Sequence, residues 1–223
     1  MSKVFKFSDI SIDGITLGAP KNLDNGGKII GLYYKGSPLV IQTPTMHSNF
    51  GISNYEGSEK HTIDVSLKND KDEIKQFTDL ISAFDEKLIQ LAIKNSSTWF
   101  KKKIDSRDVM EALYTPIVKY AKNKETGEIT DQYPPSMRLQ VPFKNGDFTC
   151  NVFNMQKEVI SLSNINTRGM QMTSIIQCNG IWVAGGKFGC NFKIIQMKVN
   201  PRQSLTDKYA FIDEIEEDNE NNE

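Results

Sequence analysis

The side chains best placed to do chemistry gather between Ser174 and Val199, SIIQCNGIWVAGGKFGCNFKIIQMKV. Trp182 precedes a glycine-rich segment, Ala184-Gly185-Gly186-Lys187-Phe188-Gly189, and Phe192 and Lys193 follow it. Lysines meet phosphates and aromatic rings stack on bases, so cations interleaved with rings suit a single nucleic-acid strand. The same residues also fit an ordinary core hairpin with Trp182 and Phe192 buried, because large aromatics usually pack inside. Further candidates for phosphate contact are Lys119, Lys122 and Arg138, which lie on or beside strand-like runs with aromatic neighbours such as Tyr120. Trp99 stands in Trp99-Phe100-Lys101-Lys102-Lys103. That cluster either touches the nucleic acid or is a solvated basic loop beside a packed tryptophan.

Other chemistries find little support. Gly26-Gly27-Lys28 and Gly186-Lys187-Phe188 both fail the P-loop pattern, since no Ser or Thr follows the lysine and the upstream glycine is misplaced. The two histidines, His47 and His61, form no HExxH, and there is no nucleophile elbow. Cys178 and Cys190 stand twelve residues apart, a spacing that fits buried thiols better than zinc ligands. The expectation is therefore a non-catalytic protein with no metal and no cofactor.

These candidates need elements to hold them. Ile175–Val183 and Cys190–Val199 are rich in β-branched and aromatic residues and read as two strands joined by the glycine turn. Lys28–Tyr34 and Leu39–Gln42 flank Lys35-Gly36-Ser37-Pro38, a hairpin signal. Thr43–Gly57, with His47, Phe50 and Tyr55, reads as polar and turn-rich. His61–Leu67 alternates as a half-buried strand. Ile74, Phe77, Leu80, Ile81, Phe84, Leu88, Leu91 and Ala92 recur at helical spacing, with Asp70 and Glu73 as a capping box. A shorter helix starts near Ser106. Strands are then expected over Thr115–Ala121, Ser136–Val141, Phe148–Phe153 and Val159–Leu162, with an Asn145-Gly146 hairpin turn.

The chain of 223 residues carries 38% hydrophobic and 25% charged residues, which suits a globular fold over most of its length. No apolar run approaches the ~20 residues of a membrane span, and MSKVFKFSDI has no signal-peptide apolar region. Three cysteines without CxxC spacing fit a reducing, intracellular compartment. The net charge of −1 hides an asymmetry. Asp213, Glu214, Glu216, Glu217, Asp218, Glu220 and Glu223 put seven acids in the last eleven residues. The other 21 acids face 27 Lys and Arg, so the body through Ile212 is +6.

The motifs Tyr114-Thr115-Pro116-Ile117-Val118-Lys119-Tyr120, Lys124-Glu125-Thr126-Gly127-Glu128, Tyr133-Pro134-Pro135 and Gly180-Ile181-Trp182 with Gly185-Gly186-Lys187-Phe188-Gly189 resemble a family of nucleocytoplasmic large DNA viruses. That family is similar to the single-stranded-DNA-binding protein of short-tailed coliphages. The resemblance covers roughly residues 28 to 200 and the tail. It implies an OB fold with a helical insertion and an acidic C-terminal tail. It departs at the end, because the phage tails close on an aromatic residue and this chain closes on Asn221-Asn222-Glu223.

The combined expectation is a mainly β chain of α+β class. It comprises an irregular lead-in (1–27), an OB-fold-like nucleic-acid-binding domain (28–204) with a helical insertion at about 70–113, and a disordered acidic tail (205–223). It would coat single-stranded DNA during viral replication, recombination or repair, in the host cytoplasm or nucleus. The tail would compete with DNA and recruit a DNA polymerase or helicase-primase, and a homodimer is compatible with this. The alternatives are a virion or scaffold protein that makes protein contacts through a β-rich domain, and a DNA-processing enzyme.

Overall fold

The computed structural model describes residues 3–54 and 58–201. The tail acids and Tyr55 lie outside the described residues. The strands before the helices are β1 (Phe5–Lys6), β2 (Ile15–Asn22), β3 (Lys28–Tyr34), β4 (Ser37–Pro38), β5 (Val40–Gln42), β6 (Met46–Asn54) and β7 (His61–Ser66). The helices α1 (Asp72–Lys94), α2 (Ser96–Phe100) and α3 (Arg107–Leu113) follow. Then come β8 (Tyr114–Thr115), β9 (Val118–Lys119), β10 (Ser136–Val141), β11 (Phe143–Lys144), β12 (Asp147–Phe148), β13 (Asn151–Phe153), β14 (Gln171–Ala184) and β15 (Lys187–Asn200).

Five of these strands close on themselves. β6 pairs with β7, β7 with β10, β10 with β15, β15 with β14, and β14 returns to β6. Only the β10–β15 junction is parallel. A five-stranded Greek-key barrel with this connectivity is OB-like, and the helices are inserted between its second and third strands. β3 and β5 add to β14 outside the barrel circuit, and β2 adds to β3.

β14 shows how the sequence builds the wall. Met172, Ser174, Ile176 and Cys178 alternate inward, then a register shift between Cys178 and Ile181 re-phases the strand so that Ile181 and Val183 face the core. Gly180 makes that shift possible. It has φ +95°, and a Cβ there would lie 2.6 Å from the Ile30 carbonyl oxygen. The β14–β15 turn is Gly185-Gly186, both at positive φ, as a tight turn that twists with its strands requires.

α1 buries Ile74, Phe77, Ile81, Phe84, Leu88, Ile89 and Ala92 on one face, and Phe84 meets Phe192 of β15 at 5.9 Å between ring centroids. Its start differs from expectation. Lys71 is the N-cap and no side chain caps the helix, so the Asp70/Glu73 box does not form. Instead Asp72 and Glu73 occupy the first turn, where the helix dipole favours carboxylates. Ser106 does cap α3, accepting from the Val109 N–H at 3.4 Å. No helix among the described residues is long and apolar enough to cross a membrane.

Other local expectations shift for physical reasons. The lead-in is less irregular than it reads, because β2 pairs along β3, with a register shift between Leu17 and Pro20 that leaves the proline unpaired on an edge. The polar segment after Thr43 is the strand β6. Pro116 splits the expected Thr115–Ala121 strand into β8 and β9, which pair with β15 and β10 respectively. Phe148–Phe153 divides likewise between the β11–β12 hairpin and β13, and Val159 makes only an isolated bridge to Phe153.

Candidate nucleic-acid interface

The sequence candidates separate into two groups. Phe188, Phe192 and Trp99 are 0%, 1% and 3% exposed. Phe188 packs against Tyr114 (4.9 Å), Phe100 (5.7 Å) and Trp99 (6.2 Å). With both faces packed, these three rings offer no surface to a base, which corrects their reading as stacking residues. They are core, set inward by the alternation of β15 and by the turn from α2. Trp182 is half-buried on the outer side of β14, paired with Gly189 and Ile29. Its ring lies over Gly189, where an added Cβ would come 2.7 Å from Cζ2. Lys187 is exposed at the β14–β15 turn. Neither is among the residues of the cleft described next.

The remaining cations converge on the outer face of β7 and β10. Along β10 the outward residues are Ser136, Arg138 and Gln140, between buried Met137, Leu139 and Val141. Lys119 pairs with Ser136, and Lys193 with Gln140. Asn179 donates to Gln140 Oε1 at 2.8 Å and fixes that side chain across the sheet. Arg138 grips Asp64 of β7 with two hydrogen bonds, Nε to Oδ1 and Nη2 to Oδ2, each 2.7 Å. Partial burial, then the neighbouring Arg138 guanidinium, pulls the Lys119 ammonium below its ordinary value, with Asp64 opposing. Among the described residues Lys119, Lys122 and Lys193 make no ion pair.

Beside Lys119 the chain exposes three large rings. Phe50 is 74%, Tyr133 63% and Tyr120 45% exposed. All three line one cleft of about 500 Å³ together with Lys119, Asn49, Ala121, Pro134 and Ser136. Each ring has a local cause. Phe50 sits in a β-bulge of β6, where the register to β7 shifts between Ser48 and Ile52. Bulges re-aim side chains. This one is fixed by Gly51 at φ +77°, whose N–H donates to Ser48 Oγ at 3.0 Å, and by the Ile52 N–H donating to Thr167 Oγ1 at 3.0 Å. Tyr133 precedes two prolines, which hold it extended, and the Pro135 carbonyl accepts from the Leu67 N–H at 2.8 Å.

Tyr120 follows β9 directly, and Asp85 of α1 sets its approach. The Asp85 carboxylate accepts from the Tyr114 hydroxyl, from Ile117 N–H (3.0 Å) and from Val118 N–H (3.2 Å). Burial, the dominant cause, raises the Asp85 carboxyl above its usual value against the pull of these three donors. Tyr120, Lys119 and Lys122 also border a second cleft of about 490 Å³ lined by Glu86, Arg107 and Ile129.

Sequence reading singled out Lys119, Tyr120, Lys122, Arg138 and Lys193, which share this face. It passed over Phe50, hidden in a stretch that reads as turn, and gave Tyr133 no role. The usable signal was a large ring set among polar residues with glycine or proline beside it. Cys178 and Cys190 are buried with sulfurs 3.0 Å apart, and burial pushes the Cys190 thiol up. No group of three His, Cys, Asp or Glu among the described residues is arranged to hold a metal.

Three comparisons bear on this chain. No curated protein matches it. Among solved structures, it is similar to a C-terminal truncation of the single-stranded DNA-binding protein from bacteriophage Enc34, at 14% identity and a TM-score of 0.46, covering 84% of this chain and 96% of that one. The Enc34 protein in complex with ssDNA gives 13% identity and a TM-score of 0.45, covering 82% and 94%. Gp2.5, the single-stranded DNA-binding protein encoded by bacteriophage T7, gives 8% identity and a TM-score of 0.45, covering 78% and 98%. A family model matches residues 61–213, from the second barrel strand through the helices, Tyr120, Tyr133 and the last strand, and the chain belongs to that family, a family of unknown function (DUF5871).

Proposed function

We propose that this chain binds single-stranded DNA without catalysis, stacking bases in the Phe50–Tyr120–Tyr133 cleft and holding phosphates with Lys119, Lys122 and Arg138. The observation that carries the reading is the gathering of three strongly exposed rings around one lysine. Exposed aromatic surface is kept where a partner covers it, and rings beside cations match a strand's alternation of base and phosphate. The location agrees, because OB barrels bind oligonucleotides on the face of their second and third strands, here β7 and β10. The motif resemblance noted in the sequence extends the reading to a viral protein that coats single strands in replication, recombination or repair. Its acidic tail would compete with DNA and recruit a polymerase or helicase-primase.

The test is anisotropy titration of labelled oligo-dT at two salt concentrations, with a duplex and oligo-U in parallel. Tyr120→Ala and Tyr133→Ala should each weaken oligo-dT binding by about 1–3 kcal/mol, with little effect on folding because both rings are exposed. The duplex should bind less tightly, and oligo-U reports whether sugar matters. Parent affinity in the combined Phe50→Ala/Tyr120→Ala/Tyr133→Ala variant would remove this cleft from the binding site.

A further inference from the structure

The cleft at the Ser136 end of β10 has a counterpart at the other end. His61, Phe143, Lys193, Lys60, Glu59 and Gln140 contribute to a second open cleft of about 300 Å³. Its rings belong to a small cluster outside the barrel wall. The His61 and Phe143 centroids are 4.2 Å apart, and Phe148 meets Phe143 at 5.1 Å and His61 at 5.3 Å. Phe143 and Phe148 face each other across the β11–β12 hairpin, a separate two-stranded sheet turned by Asn145-Gly146. All three rings are only half-buried. The His61 Nδ1–H donates to the Glu59 carbonyl oxygen at 3.1 Å, so the ring is held in place.

The two clefts are not independent. Ser136 borders the first, and Gln140 and Val141 the second. From Ser136 to Gln140 is four residues of one strand, roughly 13 Å. Between them the outward residue is Arg138. The cations along this edge are therefore Lys119 opposite Ser136, Arg138 itself, and Lys193 opposite Gln140. They recur at every second residue, roughly 7 Å apart along the strand direction. A backbone with regularly repeated charge laid along β10 would meet one cation after another and arrive at each end beside rings. The Glu59 carboxylate in the second cleft disfavours phosphate there and leaves its rings to a base, with Lys193 as the adjoining phosphate contact.

We propose that the single strand runs along β10 and is held at a second base-stacking station formed by His61 and Phe143, with Lys193 as its phosphate contact. This rests on the reading of the Phe50–Tyr120–Tyr133 cleft as the first station. Two stations on one track act as linked sites, so a strand long enough to reach both gains affinity that a short one lacks.

The experiment compares dT oligomers of about 4 and about 16 nucleotides, the range one OB fold covers. The His61→Ala/Phe143→Ala variant should bind the longer oligomer about five-fold or more weakly and should lose most of the parent's preference for length. Phe143 belongs to the separate hairpin sheet, and thermal melting confirms that the barrel is intact. Lys193→Gln, a surface change, tests the track without touching a ring. It should lower the salt slope for the longer oligomer by about 0.7. If both variants bind the longer oligomer as the parent does while Tyr120→Ala/Tyr133→Ala loses it, the second station is wrong and the first stands. If no substitution at either end alters binding, the single-strand reading falls and the second station with it.

Discussion

Arg138 is the residue on which the interface turns. Its guanidinium is committed at both ends to Asp64, so a phosphate must compete with a carboxylate already in place. The pair is partly exposed, Arg138 at 49% and Asp64 at 21% of their side chains. An ion pair of this kind contributes under about 1 kcal/mol to folding. Asp64→Asn should therefore leave stability nearly unchanged while releasing Arg138 to the strand. The expected outcome is tighter oligo-dT binding at low salt and a salt slope steeper by about 0.7. Removing a nearby negative charge would tighten binding by itself, so the informative quantity is the slope, compared in an Arg138→Gln background. An unchanged slope would mean that Arg138 keeps to its strand partner and touches no phosphate.

At the scale of elements, α1 and the Tyr114–Val118 segment are tied together by two neighbouring acids that respond oppositely to pH. Asp85 accepts from Tyr114, Ile117 and Val118, and burial raises its carboxyl above 3.8. A raised value means the folded state holds the proton more tightly than the unfolded chain. The contribution is complete below 3.8 and is lost as pH rises through the folded value. Glu86 binds Arg107 of α3 through two hydrogen bonds of 2.8 and 2.6 Å, and chiefly these bonds, with one from Gln90, lower it from 4.5 to about 2. Its contribution is present above 4.5 and lost as pH falls toward 2. Melting temperature measured against pH should separate the two. Glu86→Gln should flatten the acid side between 4.5 and about 2. Asp85→Asn should lower the baseline, because an amide nitrogen then faces a backbone N–H, and should flatten the decline above pH 3.8. If Asp85→Asn leaves both the baseline and Tyr120-dependent binding untouched, the helix does not position that ring.

For the molecule as a whole the decisive property is charge. The body through Ile212 is +6, and seven acids follow it. A short flexible tether holds its group at an effective concentration of about millimolar, enough for a polyanion to contest the cations of β10. Truncation after Ile212 is predicted to raise single-strand affinity at low salt, with the gain shrinking as salt screens the charges. A tail of scrambled order and equal composition should restore parent affinity, since the competition is electrostatic. Equal affinity of the truncated and full chains at low ionic strength would show that the tail serves another purpose.

The sequence by itself determined the elements whose pattern is strong. The β14–β15 hairpin, α1, β7 and β10 follow from alternation, helical period and a glycine turn. The charge asymmetry is likewise a property of composition. The tertiary structure decided which aromatic rings are surface and which are core. A ring reads the same in sequence whether strand alternation turns it inward, as at Phe188 and Phe192, or a bulge turns it out, as at Phe50. Burial depends on strand phase, and strand phase depends on bulges such as those at Gly51 and Gly180, which a single sequence does not announce. Closure of the barrel decided the rest. It set Lys119 of β9 and Lys193 of β15 on opposite flanks of β10, and it brought Phe50 beside Tyr133 from more than eighty residues away. Proximity between distant segments is a property of the closed sheet and is written in no local run of residues.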